Sequence, residues 1–317
     1  MTRRRAGMTM TEVLVTVFVV SIGLSGVMAM FPFGARQMQD VLVADRATSH
    51  AHATDALVRG YWKEKVVELN GNGEPFWDAL DAPGGALPSL LPRKNEPSYP
   101  VFLDPMGTFR STVASSNWVG DRGNTRVPRR SMKLVTTTGD PARVALRLFS
   151  QADGLSWDED SQPKPGIDMR ELRYNSLAVI QRPNNSDPFN ATLKIVVFLN
   201  RKFQFYPTGS EAVFTSTWLP GTTQIQLSTR ADIKKGSWIM DAGPTNAALK
   251  IRHANFYRVV SATESPTNPN VYDVELHTPI KRVDGLPNAY NGQAVVMAGV
   301  AEVFERPMLT GSSAPAQ

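Results

Sequence analysis

The chain has 317 residues, 42% hydrophobic and 20% charged, the balance of a folded protein and not of a disordered one. Its formal charge of +5 is a weak basis for nucleic-acid or acidic partners: setting aside Arg3, Arg4 and Arg5, three of the 34 Lys+Arg, leaves 31 against 29 Asp+Glu. The lack of cysteine excludes disulfides, thiolate metal sites and a cysteine nucleophile, and the length leaves room for one large domain or two smaller ones besides an anchor.

The chain opens on Arg3-Arg4-Arg5, then Ala6-Gly7, then Met8-Thr9-Met10-Thr11-Glu12, then an apolar run over 13–33. The run carries no charge, and Thr16, Ser21 and Ser25 are its only hydroxyl side chains. At a rise of ~1.5 Å per residue it is long enough to cross a bilayer core of ~30 Å. Three kinds of N-terminus share this pattern. One is an uncleaved signal anchor. The second is a secretory signal, for which Val27-Met28-Ala29 supplies a small-residue cleavage site. The third is a leader cut on the cytoplasmic side of the run. Glu12 is the unusual element, because a carboxylate at the start of a membrane segment calls for a partner.

Gly7, followed by Met8-Thr9-Met10-Thr11-Glu12 and an apolar run, resembles the processing site of type IV pilin-like proteins, the pilins and pseudopilins. The resemblance implies cleavage after Gly7 by a prepilin peptidase and N-methylation of Met8. It makes Glu12 the fifth residue of the mature chain and the assembly residue. Glu12-Val13-Leu14-Val15 with the 21–26 segment is similar to the minor-pilin branch. Met8 stands where phenylalanine is usual, Thr11 where an aliphatic residue is commoner, and Pro32 lies later than the helix proline of major pilins. In a filament of bundled apolar helices an unpaired carboxylate costs about 3 kcal/mol or more. The cationic amine of a neighbouring subunit's first residue neutralises it and sets the axial register. The arginines ahead of the run keep the leader cytoplasmic and send the C-terminal bulk outward, to the periplasm in a double-membrane bacterium.

Pro32 predicts a helix kink near 27–32, since proline cannot donate its backbone hydrogen bond and clashes with the preceding turn. Beyond it, Met38, Val41, Leu42, Ala44, Ala47, Ala51, Leu57 and Val58 continue the three- and four-residue steps of a helix. The helix ends at Gly60 or runs on to Asn70-Gly71. Its small-residue face over 44–53 suits close packing on a sheet or a neighbouring helix. His50 and His52, with Asp45 and Asp55, read as solvated surface, because positions two apart on a helix face away from each other.

From 71 to 124 the chain is rich in Gly, Pro and Asn, with short pieces such as 75–80. A basic segment, Arg122, Arg126, Arg129, Arg130 and Lys133 near Trp118, lacks interleaved aromatics and reads as a solvated loop. The acidic run over 153–160 does not have EF-hand spacing, so no metal site is assigned. Strand patterns follow at 144–149, 172–181, 192–205, 213–217, 224–229, 237–240, 249–262, 271–278 and 294–304, separated by Pro/Gly/Asn turns. Residues 223–306 have the makings of a separate barrel-like module, and His253 and His277 take structural roles in strands.

The expected fold is α+β: a long N-terminal helix whose first half is transmembrane, followed by a large antiparallel β-rich head. The expected division is a leader at 1–7, the N-terminal helix at 8–69 with a transmembrane 13–33, a periplasmic head at 70–309 and a tail at 310–317. No nucleophile elbow, phosphate loop or His/Glu zinc motif occurs, so neither an enzyme nor a cofactor is expected. The expected role is that of a minor pilin or pseudopilin in a type IV pilus-like or type II secretion filament. Its expected partners are prepilin peptidase, other pilin or pseudopilin subunits and the inner membrane, and not nucleic acid. The rival is a membrane-anchored extracytoplasmic binding module with a plain signal anchor.

Overall fold

A computed structural model describes residues 9–71, 73–83, 92–110, 117–120, 127–133, 141–151, 173–203, 210–229, 232–246, 252–266, 268 and 271–311. The chain divides into two compact units at Arg46 and Ala47. Gly7, Met8, Arg122, Arg126 and the acidic run at 153–160 lie outside the described residues.

One helix, α1 (Met10–Trp62), contributes to both units, and Pro32 lies inside it. A π-helical turn over Lys63–Glu68 extends it, and the positive φ angles of Asn70 (54°) and Gly71 (67°) then end the helical run. Within the first unit the described helix residues are exposed save for a half-buried Val43. In the second unit a different stripe appears. Ala47, Ala51, Thr54, Val58 and Trp62 are buried at steps of three and four, with His50 beside them. The alanines at the start of the stripe let the helix backbone approach the sheet closely. Thr54 Oγ1 meets Ser176 Oγ at 2.7 Å, and Trp62 Nε1 donates to Phe189 O at 3.1 Å.

That sheet has five strands in the order β11-β4-β3-β1-β2. They are β1 (Val101–Leu103), β2 (Arg129–Arg130), β3 (Tyr174–Gln181), β4 (Ala191–Leu199) and β11 (Val300–Leu309). All pairings are antiparallel except that of β1 with β2. The short helix α2 (Pro75–Asp81) precedes β1 in sequence, α3 (Pro105–Arg110) lies between β1 and β2, and α4 (Pro141–Phe149) between β2 and β3. Seven of the eight residues of β3 are buried, as a strand covered on both faces requires. One face takes α1 through Ser176. The other carries Leu177, Val179, Val196 and Phe198 into a shared core with Met240, Ala242, Ala254 and Val295.

Those last four residues belong to, or border, a closed six-stranded barrel, order β10-β5-β6-β9-β8-β7. Its strands are β5 (Glu211–Trp218), β6 (Gln224–Leu227), β7 (Trp238–Pro244), β8 (Asn255–Glu264), β9 (Tyr272–Leu276) and β10 (Tyr290–Met297). The barrel therefore begins ahead of Thr223 and gives β11 to the other sheet. Alternation is clearest in β6, where Ile225 and Leu227 point inward and Gln224 and Gln226 outward. Trp218 and Tyr257 meet inside with ring centroids 5.9 Å apart.

Two strand expectations are corrected. Residues 144–149 are helical: Pro141 presets the first turn of α4, and Ala145 and Phe149 are buried one turn apart. A short apolar run fits either period, so the sequence could not separate them. Residues 294–304 are two strands, β10 and β11, joined through Ala298-Gly299. Gly299 has φ +81°, and a Cβ there would stand 2.8 Å from Leu199 O. Gly299→Val is expected to lose about 1–3 kcal/mol in urea unfolding, from the left-handed backbone and the clash together. An unchanged midpoint would show that the turn adapts.

Candidate functional site: the N-terminal helix

The helix entrance is built by Thr9. The Glu12 backbone N–H donates to Thr9 O at 3.0 Å and lies 3.4 Å from Thr9 Oγ1, a side-chain cap on the first turn. Glu12 itself stands in that turn, where a negative charge complements the helix dipole. The three hydroxyls of the apolar run are each turned back onto the preceding helical turn. Thr16 Oγ1 donates to Glu12 O at 2.7 Å, Ser21 Oγ to Val17 O at 2.7 Å and Ser25 Oγ to Ser21 O at 2.8 Å. Such back-bonding hides the hydroxyl donors from a hydrocarbon environment. What faces outward is Val13, Leu14, Val15, Val17, Phe18 and their successors to Phe33. The helix is long and apolar enough to cross a membrane.

Over 9–33 Glu12 is thus the one acid in an otherwise uncharged exposed surface, and among the described residues no cationic side chain pairs with it. The helix passes through Pro32 as a single element. Gly7 and Met8, the expected processing residues, lie outside the described residues. The sequence singled out Glu12 and Pro32 but did not show that the hydroxyls are self-satisfied.

Other residues marked in the sequence are placed differently from expectation. His50 is buried, not solvated, with Nε2 3.3 Å from Phe149 O, while His52 is exposed. In the basic segment Arg129 is fully buried and Arg130 lies 5.6 Å from the ring centre of Trp118. Lys133 donates its backbone N–H to Tyr61 Oη at 2.8 Å. His253 is buried just ahead of β8, whereas His277 follows β9 and is exposed.

Sequence reasoning missed two buried polar clusters in the head. In the first, Arg201 donates to both oxygens of Asp104, at 3.0 and 2.5 Å, and Arg129 Nε lies 3.0 Å from Asp104 Oδ2. Arg129 Nη2 also pairs with Glu211 Oε1, and Glu211 Oε2 accepts the Gly120 N–H at 2.9 Å. Burial works to raise the Asp104 pKa, but Arg201 and Arg129 outweigh it and hold the carboxyl below the usual aspartate range. In the second, Asp241 Oδ2 accepts the Tyr290 hydroxyl at 2.5 Å and faces His253 Nε2 at 2.6 Å, while Oδ1 accepts the Gly243 N–H at 3.0 Å. Burial, then the Asp241 charge, pushes the Tyr290 phenol well above its ordinary range. Both clusters are enclosed in the fold, and their partners lie tens of residues apart in sequence, so no local motif announces them.

An α+β protein with a membrane-capable N-terminal helix and an antiparallel β-rich head is the class these features define. Residues 2–28 match the model of the prokaryotic N-terminal methylation motif, so the chain carries the type IV pilin signature at its N-terminus. No curated protein matches it in sequence. Among solved structures, the phage phi92 endosialidase is similar at 12% identity, over 43% of this chain and 18% of its own, with a TM-score of 0.19. A likeness that slight carries no argument about fold or function.

Proposed function

We propose that the protein is a minor pilin or pseudopilin, a structural subunit that assembles into a type IV pilus-like or type II secretion filament through α1. The observation that carries the reading is the methylation motif over 2–28 running into a helix whose exposed surface up to Phe33 is apolar around a single carboxylate, Glu12. Prepilin peptidase cuts after Gly7 and methylates the new amine of Met8. The subunit waits in the inner membrane with its head in the periplasm, the orientation favoured by Arg3, Arg4 and Arg5. On assembly, the Met8 ammonium of one subunit meets the Glu12 carboxylate of its neighbour. Pro32 supplies a joint in the helix.

The N-terminal peptide of the protein purified from its membrane tests the processing. A methylated Met8 is the expected first residue. An intact Met1 start favours a plain anchor, and a start at Met30 a cleaved secretory signal. Assembly is tested by Glu12→Ala, which is expected to remain in the membrane fraction and to fall at least tenfold in sheared filaments, about 1.4 kcal/mol per tenfold. Wild-type incorporation by Glu12→Ala would reject the charge pairing.

A further inference from the structure

Lys194 lies in β4 on the sheet face turned toward the barrel, two residues before Val196 and four before Phe198 of the shared core. Its side chain is 16% exposed. The ammonium donates to Ala254 O at 2.7 Å and to the side-chain amide oxygen of Asn255 at 3.1 Å, where β8 begins. Directly across the ladder from Lys194 stands Glu305 of β11, with Oε1 3.9 Å from Lys194 Nζ. Glu305 is in turn bonded to Lys281 Nζ at 2.7 Å. Asp241, buried in the barrel, also acts on Lys194 through its charge.

These contacts place an amine, a carboxamide and a carboxylate together at the join between sheet and barrel. Burial first, then the charge of Lys281, pushes the Lys194 ammonium down to about 8, so a share of it is free amine near neutral pH. The hydrogen bond from Lys281, with Lys194 adding its charge, holds Glu305 below the ordinary glutamate range against a smaller effect of burial, so that it stands ionised beside the Lys194 ammonium, a weak base that holds a proton only in passing.

We propose that Lys194 and Asn255 become joined by an intramolecular isopeptide bond, with Glu305 carrying the proton. Glu305 accepts a proton from the Lys194 ammonium. The freed nitrogen lone pair adds to Asn255 Cγ, and the carbonyl π pair moves onto Oδ1. As the carbonyl re-forms, the Cγ–Nδ2 bond breaks. Nδ2 leaves with protons from Glu305 and from the attacking nitrogen, so that ammonium is released overall. One C–N bond forms, one breaks, and no oxidant or co-reactant is consumed. The product staples the sheet to the barrel across 61 residues of sequence in a chain that has no cysteine to do so.

Tryptic mapping of the full-length protein, extracted in detergent, tests the bond. The expected result is a branched species joining Tyr174–Arg201, uncut at Lys194, to His253–Arg258, lighter than the two peptides by one ammonia. Recovery of separate Tyr174–Lys194, Ile195–Arg201 and His253–Arg258 peptides at unaltered mass overturns the proposal. Lys194→Arg and Asn255→Ala are expected to lose the branched species. Asn255→Asp is expected to retain it at the wild-type mass, since water then leaves in place of ammonia. Glu305→Gln, which keeps the size of an exposed side chain, is expected to lose it as well. Linkage at the wild-type extent in Glu305→Gln overturns the role given to Glu305.

Discussion

Arg129→Met is expected to destabilise the head by about 3–5 kcal/mol, the usual cost of removing one partner from a buried ion pair. The substitution leaves Glu211, 3% exposed, with the Gly120 N–H and no guanidinium, and leaves Asp104 with Arg201 and the Gly107 N–H. Urea unfolding followed by tryptophan fluorescence measures the loss. Adding Glu211→Gln to Arg129→Met is expected to recover part of it, because the stranded charge is then gone. Full additivity of the two substitutions would show that they do not share a network. The same variant has a pH signature. Asp104 is held below its ordinary value near 3.8, so its contribution is fully present above that value and is lost as pH falls through the lower folded value. Removing Arg129 lifts the folded value, so the acid-unfolding midpoint of Arg129→Met is expected to move to higher pH.

Asp241→Ala is expected to cost a similar amount, about 3–5 kcal/mol, for a different reason. Three donors converge on this carboxylate: the Tyr290 hydroxyl, His253 Nε2–H and the Gly243 N–H. Truncation strands the Gly243 N–H and leaves Tyr290 and His253 only each other, 3.2 Å apart, inside a closed barrel, at about 1–3 kcal/mol for each buried group left unsatisfied. Asp241→Asn keeps the shape and one acceptor oxygen, and is expected to fall between wild type and Asp241→Ala. The pair Asp241→Ala and Tyr290→Phe separates the hydroxyl's share, since Tyr290→Phe removes one of the stranded donors. A loss for Asp241→Ala under 1 kcal/mol would mean that water enters the barrel and satisfies the donors.

The parts of this protein that were legible in its sequence are those encoded locally. The apolar run, the placement of Glu12 five residues past Gly7 and the strand alternation of the later chain each depend on neighbours a few positions apart. They were enough for the α+β class and for the pilin resemblance. Residues 144–149 were misread because six residues do not distinguish a strand from two turns of helix. Residues 294–304 were misread because a single glycine, Gly299, makes the turn between two apolar strands. The parallel pair β1 and β2 was missed because three residues and two residues carry no period. Arg129 and His50 looked solvated because what buries them is remote. Arg129 meets a glutamate 82 positions away, and His50 a carbonyl 99 positions away.

The position of β11 has a consequence for how the head comes into being. This strand follows in sequence everything it binds: it covers the open side of β4, and its carbonyls at Pro307 and Met308 are held by Arg59 of the first helix. Until it arrives, β4 is a bare edge bearing Val196 and Val197, ready to template pairing with other chains. A polypeptide interrupted before Val300 therefore lacks the seal, and its first helix lacks a clasp on the finished head. Completion of the head is in this sense a length check, built so that a prematurely ended copy exposes its own defect.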